Sequence, residues 1–162
     1  MADTHHTTGS AEPRWLNAEQ MEAWLALVKI VTRLPAELDR QLQAEAGLSH
    51  FEYLVMAGLS EAPDRTLKMS QLADFTSGFL PRLSQVVSRL EQRGWVSRRS
   101  DPQDRRTTLA TLTDEGMAKV VASAPGHVEK VQQLVFDPLS PAQTRQLRDA
   151  CQKIEGALGW HC

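Results

Sequence analysis

The 162-residue sequence lacks the features of a disulfide-bonded, membrane-spanning or secreted protein. It has only two cysteines, Cys151 and Cys162, and no Cys-x-x-Cys pair, which argues against a disulfide scaffold and fits a reducing cytoplasm. No apolar run approaches the roughly 20 residues that span a bilayer, and the polar start MADTHHTTGSAEP does not resemble a secretory signal. We therefore expect a cytoplasmic protein whose residues 1–14 form a disordered tail.

Signatures of catalysis are also missing. The chain contains no Gly-rich phosphate loop, His-Glu-x-x-His or Gly-x-Ser-x-Gly. The histidines, among them His50 and His127, show no local spacing that would bring three or four zinc ligands together. We expect no enzyme activity, no cofactor and no metal, although zinc binding through distant residues stays open.

Positive charge is concentrated in one segment. Residues 65–106 carry nine Lys/Arg and four Asp/Glu, a net charge of +5, whereas the rest of the chain carries −7. A basic segment within an acidic chain is typical of a nucleic-acid-binding surface. The whole-chain charge of −2 hides this asymmetry.

Periodicity and capping signals predict a mostly helical chain. Capping boxes at Asn17, Ser49 and Ser140 begin helices, Pro35 predicts a kink or break in the first one, and Pro125-Gly126 predicts a bend in a helix over 114–136. A short helix from Ser70, a turn at 76–78 and a helix over 80–93 form a helix–turn–helix. Strands at 95–99 and 107–112 flank a projecting loop, the wing, and form the only predicted β structure.

These elements predict a mainly α fold, a winged helix–turn–helix domain with a two-stranded β-wing plus long N- and C-terminal helices. The terminal helices have apolar stripes that the middle of the chain is too small to cover, so packing against a partner chain is expected. The predicted organisation is a tail over 1–14, an N-terminal dimerisation helix over 15–48, the winged domain over 49–113 and C-terminal dimerisation helices over 114–162.

The basic segment predicts double-stranded DNA as the partner. Small polar and arginine side chains on one face of the 80–93 helix can reach base edges in a major groove: Arg82, Ser84, Gln85, Ser88 and Arg89. Arginines near a hairpin tip suit a narrow, electronegative minor groove: Arg98, Arg99, Arg105 and Arg106. The alternative is that these are ordinary solvated charges, and the wing together with the net charge favours DNA.

An ordered set of motifs resembles the MarR family of winged-helix transcription regulators. It comprises Ser70-x-Leu-Ala, LSQVVSRLEQRG over 83–94, Trp95-Val, Asp101-Pro-x-Asp-Arg-Arg106 and Leu112-Thr-x-x-Gly116. The resemblance is strong over residues 49–116. Pro81 departs from it, since such helices commonly carry Ser or Thr there, and Phe79-Leu80 is bulky for a helix start facing DNA, unless both pack against the preceding helix.

The resemblance implies a homodimer that binds a pseudo-palindromic operator, usually represses, and loses DNA affinity when a small lipophilic aromatic or phenolic ligand binds. Arg106 and Asp104 match the family's Asp-x-Arg wing motif, which implies that Arg106 enters the minor groove and that Asp104 orients the wing through an ion pair.

The family's ligands lie between the dimerisation helices and the winged domain, which implies a ligand site near Trp24, Val28, His50, Tyr53 and Leu54. Core packing is the stronger interpretation of Trp24 and Leu54, whereas His50 and Tyr53 have polar tips that suit a phenolate or carboxylate. Cys151 is expected to be buried. A redox or zinc sensor on the same scaffold, and a winged helix that serves only as an architectural or protein-interaction module, are the alternatives.

Overall fold

The computed structural model describes residues 13–76 and 80–159. The chain divides into two structural units, Met1–Arg33 and Leu34–Cys162. Within the described residues, helices and strands follow in the order α1 (Ala18–Ala46), α2 (His50–Glu61), β1 (Thr66–Lys68), α3 (Met69–Phe75), α4 (Leu80–Gln92), β2 (Val96–Ser100), β3 (Thr108–Leu112), α5 (Asp114–Val131) and α6 (Pro141–Ala157).

The predicted capping boxes are confirmed at all three helix starts. Asn17 and Gln20 exchange backbone-to-side-chain hydrogen bonds before α1, as do Ser49 and Glu52 at α2 and Ser140 and Gln143 at α6. Each box satisfies two N–H groups that have no partner within the helix. These local signals explain why the helix starts could be predicted from spacing alone.

Neither internal proline interrupts its helix. Of the kink or break predicted at Pro35, the break is wrong, because α1 continues from Ala18 to Ala46. Proline removes one N–H donor from the helix, and burial of Leu38 and Leu42 holds the residues after it. Helix α5 likewise continues through Pro125, and the helical run ends as a π-helical segment, Gln132–Phe136.

The sheet has three strands, where the sequence predicted two. Strand β1 pairs antiparallel with β3, which also pairs antiparallel with β2, so the order is β1-β3-β2. Thr66 lies opposite Thr111, and their hydroxyl groups are 2.8 Å apart. Three residues are too few to show the alternation of a strand, and β1 is held by pairing with a strand more than 40 residues later.

One apolar core supports the winged domain. It gathers buried side chains from α2, α3, α4 and the sheet, together with Leu42 from α1 and Val120 from α5. Leu42, Leu48 and Met56 are fully buried. Phe75 lies at the edge of this core, since its ring approaches Gly58 but is 57% exposed.

Large apolar side chains remain exposed at both ends of the described chain. In the unit that ends at Arg33 they are Trp15, Leu16, Met21, Trp24, Leu25, Leu27, Ile30 and Val31. Near the C-terminus they are Leu134, Phe136, Leu147, Ile154 and Leu158. No helix among the described residues is both long enough and apolar enough to traverse a bilayer.

Candidate nucleic-acid interface

Helix α4 separates its apolar and polar side chains onto two faces. Leu83, Val86, Val87 and Leu90 are buried in the core. Arg82, Ser84, Gln85 and Arg89 are exposed, and Ser88 is half-buried, with its hydroxyl donating to the Ser84 carbonyl at 2.9 Å. The core therefore fixes which side of α4 faces outward, and that side carries all five residues predicted for the recognition helix.

The two arginines of this face also contact α2. The Arg82 guanidinium lies over the Phe51 ring at 4.6 Å. Arg89 Nε lies 3.4 Å from Glu52 Oε1, and the Glu52 side chain is only 6% exposed. Because a buried carboxylate requires charged or hydrogen-bonded partners, Glu52 ties the recognition helix to α2. The spacing from Ser49 to Glu52 predicts only a capping box, and the second contact of Glu52, with Arg89, joins residues too distant in sequence for any local pattern to show it.

An ion pair between Arg98 and Glu91 joins the wing to α4. Arg98 donates two guanidinium hydrogen bonds to Glu91 Oε2, at 2.7 and 3.0 Å, and its backbone N–H donates to Oε1 at 3.1 Å. These hydrogen bonds lower the pKa of Glu91. Arg98, which stays a predicted DNA contact, is thus held against α4 by its side chain and its backbone. The sequence signal for this pair is the opposite charge of Glu91 and Arg98, which lie on either side of the turn at Gly94.

The wing tip is shaped by Asp104, but not through the expected ion pair. Its carboxylate accepts hydrogen bonds from the Arg106 backbone N–H at 3.0 Å and from the Thr107 hydroxyl at 2.9 Å. Both bonds lower the pKa of Asp104. The ion pair expected for Asp104 is not found among the described residues, because the carboxylate closes a local turn instead. Arg99, Arg105 and Arg106 are exposed.

Gly94 makes the turn that joins α4 to the wing. Its φ of +75° lies in the left-handed region, and the Trp95 N–H donates to the Leu90 carbonyl at 3.0 Å, which closes the helix end. Thr113 then connects the base of the wing to α5, since its hydroxyl donates to the Gly94 carbonyl and accepts from the Gly116 N–H. Thr113 is thus the N-cap of α5.

A cleft of about 680 Å³ opens beside the recognition helix. It is lined by Pro35, Ala36 and Asp39 from α1, by Ser49, His50, Phe51 and Leu54 at α2, and by Arg82, Gln85, Val86 and Arg89 from α4. Of the residues predicted for a ligand site, His50 and Leu54 line it. Tyr53 is instead buried against the His127 ring, with ring centres 4.5 Å apart. Trp24 is 52% exposed, so core packing does not describe it, and Val28 is half-buried.

Two histidines meet behind this cleft. The rings of His50 from α2 and His127 from α5 are 5.7 Å apart. Burial lowers the pKa of both, with the His50 charge adding to the effect at His127 and the Asp39 carboxylate opposing it at His50. His127 Nδ1 is buried and has no hydrogen-bond partner among the described residues. The fold thus favours two neutral imidazoles here.

From the lowered pKa values of His50 and His127, we predict that the free energy of unfolding falls in acid. Because both folded-state pKa values lie below the ordinary 6.5, the unfolded chain binds protons first as the pH falls. Their stabilisation is complete above about pH 6.5 and is lost as the pH drops toward the lowered values. Denaturant unfolding between about pH 7 and pH 5 measures it. A His127→Gln variant should show a shallower loss, and an unchanged slope would contradict the assignment.

The cysteine prediction is wrong in one respect. Cys151 lies on α6 with its side chain exposed and unpaired, because α6 contributes no buried residue to the core. His5, His6, Phe79, His161 and Cys162 lie outside the described residues. Within residues 13–76 and 80–159, no three His, Cys, Asp or Glu side chains gather as a metal site would need.

A helix–turn–helix, an antiparallel wing and a basic outer face define a winged-helix DNA-binding transcription regulator. The chain belongs to the MarR family, whose model matches residues 48–108. Sco3205, a MarR family transcriptional regulator from Streptomyces coelicolor solved in complex with DNA, is 43% identical, with a TM-score of 0.85 over 91% of this chain and 92% of its own.

Two further relatives agree with this assignment. AbsC, another MarR family regulator from Streptomyces coelicolor, is 31% identical, with a TM-score of 0.85 over 92% of this chain and 100% of the AbsC chain. The HTH-type transcriptional regulator YdcH of Bacillus subtilis is 35% identical over 95 residues, which span 57% of this chain and 64% of YdcH. These relatives are transcription regulators and not enzymes.

Proposed function

We propose that this MarR family regulator is a homodimer that binds a pseudo-palindromic operator and represses transcription. Binding of a small aromatic or phenolic ligand then releases the protein from the operator. One observation carries the DNA-binding part. Ser84 on the outer face of α4 and Arg106 at the wing line the same groove, so recognition helix and wing face one side of the molecule. A duplex on that side meets the helix in a major groove and the wing in the adjacent minor groove.

The exposed apolar residues at both chain ends support the dimer. On a monomer, an exposed apolar set of this size is unfavourable in water, and packing against a second copy removes it. A two-fold dimer presents two recognition helices, which fit an operator with half-sites about 34 Å apart, one turn of DNA. The terminal helices are proposed as the dimerisation region, over 15–48 and 114–162.

The cleft beside α4 supports the ligand. Phe51, Leu54 and Pro35 offer apolar surface, and Arg82, which has no ion pair among the described residues, offers positive charge; together they suit an aromatic anion. Because Arg82 and Gln85 also belong to the recognition face, a ligand that holds them in the cleft lowers DNA affinity by its differential binding to the two states.

Selection of binding sites from random duplexes tests this proposal. We expect an inverted repeat with half-site centres about 10 base pairs apart. Gln85→Ala should alter the preferred bases at symmetric positions, because amide side chains read adenine edges. A selected site without two-fold symmetry would contradict the dimeric mechanism.

Gel mobility shifts on the selected site test the ligand. A phenolic carboxylate should release the DNA, whereas peroxide and zinc should not. Release by peroxide or zinc would favour a redox or metal sensor, and binding unaffected by all three would favour a ligand-independent module.

A further inference from the structure

A second groove, of about 380 Å³, separates the recognition helix from the wing. Four hydroxyl-bearing side chains line it, Ser70 from α3, Ser84 from α4, Thr107 before β3 and Thr108 on β3. Three elements that are distant in sequence thus bring hydroxyl groups to one site. Ser70, Thr107 and Thr108 were not among the residues that the sequence predicted to contact DNA.

The charge in this groove comes from one arginine. Arg98 and Arg106 both line it, but the Arg98 guanidinium is paired with Glu91 at 2.7 Å. The Arg106 guanidinium has no ion-pair partner within residues 13–76 and 80–159. The carboxylate of Asp104 is occupied by the Arg106 N–H and the Thr107 hydroxyl. The groove therefore combines hydroxyl donors with one available cation.

Its remaining walls are apolar. Leu80 and Met69 line the groove, and Leu80 is 51% exposed although it begins the recognition helix. An exposed leucine beside hydroxyl groups suits a partner that has both polar and apolar parts. A nucleic-acid strand has phosphate oxygens that accept hydrogen bonds and sugar carbons that pack against apolar side chains.

The geometry of DNA identifies which strand this is. When a helix occupies a major groove and a wing occupies the neighbouring minor groove, one sugar–phosphate strand of the DNA runs between the helix and the wing. That strand must cross the protein surface between α4 and the wing, which is this groove.

We propose that the groove seats this strand, with Ser70 and Thr108 donating hydrogen bonds to phosphate oxygens and Leu80 packing against a deoxyribose. The inference rests on the proposed DNA binding and adds a backbone contact site to it. Phosphate contacts set the register of a protein on the duplex without reading sequence. The groove therefore fixes how deeply the recognition helix enters the major groove.

Matched glutamate substitutions test the groove. Ser70→Glu and Thr108→Glu place a negative charge where the phosphate is proposed to lie, and each should lower affinity at least about tenfold. The loss should be the same on the selected operator and on an unrelated duplex, because phosphates are common to both. Ser97→Glu adds the same charge to β2 beside Arg98, whose side chain points to the groove from the other face of the strand, and should change affinity less than about twofold.

Alanine variants and a modified duplex give a second measurement without added charge. Replacing single operator phosphates by neutral methylphosphonates should identify one whose loss weakens the wild-type protein. The same replacement should cost less in Ser70→Ala and Thr108→Ala, which already lack the hydrogen bonds. Equal costs in wild type and variants would overturn the proposed contact.

The outcomes separate this inference from the proposed function. A wild-type protein that binds no duplex would contradict DNA binding itself. A wild-type protein that binds, together with Ser70→Glu behaving like Ser97→Glu, would overturn only the groove. A Ser70→Glu variant that selects different bases, instead of losing affinity for all duplexes equally, would also overturn it, since base readout would then be its role.

Discussion

Replacing Arg106 with alanine is expected to weaken DNA binding by about tenfold or more, since a charge-assisted hydrogen bond contributes about 1.5–3 kcal/mol. Arg106 is exposed at the wing tip, and its backbone is held by Asp104 at 3.0 Å. That turn orders the backbone of Arg106 before DNA binds, so that the ordering cost of the contact is confined to its side chain. Of the wing arginines, it is the one that lines the groove without an intramolecular ion pair among the described residues.

Salt dependence distinguishes this effect from general destabilisation. Loss of one cation at the DNA should reduce the slope of log affinity against log salt by about 0.9. Arg40→Ala removes an exposed arginine that pairs with Glu37 on α1, and it should leave the slope unchanged. An Arg106→Ala protein with wild-type affinity at every salt concentration would remove Arg106 from the interface.

Replacing Gly116 with alanine is expected to cost about 1–3 kcal/mol of unfolding free energy, the range for overpacking a close-packed site. A Cβ at this position would lie 2.1 Å from the Trp95 carbonyl oxygen and 2.7 Å from a Leu112 methyl group. The oxygen belongs to the backbone and also accepts the Thr113 N–H at 3.0 Å, so it cannot move without shifting the wing. We therefore expect weaker DNA binding as well.

Gly126 in the same helix provides a matched control. There a Cβ would meet the Glu45 carboxylate at 2.3 Å, which is the far end of an exposed side chain and accepts a hydrogen bond from Gln41 Nε2 at 2.7 Å. Gly126→Ala should cost less than Gly116→Ala, because a side-chain carboxylate can move where a backbone carbonyl cannot, and alanine favours a helix by up to about 1 kcal/mol. Denaturant unfolding of both variants at equal protein concentration measures the difference. Equal stabilities would contradict the proposed tight contact at Gly116.

Local signals in the sequence were sufficient for most of the helical framework. Capping boxes, the 3.6-residue period of α4 and the glycine after it depend on neighbours within a few residues, so spacing alone predicts them. Pairing with distant segments is not visible in this way. Strand β1 is held by pairing with β3. Helix α1 continues past Pro35 because residues after the proline are buried in the core.

The candidate interface could be predicted by residue type but not by role. Charge density identified the arginines of α4 and the wing, yet it could not show that Arg98 is paired with Glu91 or that Arg89 contacts the buried Glu52. Tyr53 has a polar tip, and only the fold shows it packed on His127. The hydroxyl groups of Ser70 and Thr108 come to line one groove only through tertiary structure, so no local sequence pattern predicts that they share it.

Directed DNA cleavage tests the central claim that α4 and the wing tip occupy adjacent grooves. A cleavage reagent would be attached through Gln85→Cys or Arg105→Cys, with Cys151 and Cys162 replaced by serine, and through Arg148→Cys on α6 as a control. We predict cutting from position 85 in the major groove of each half-site, cutting from position 105 in the neighbouring minor groove, and none from position 148. Bound protein that cuts from position 148, or from neither 85 nor 105, would contradict the account.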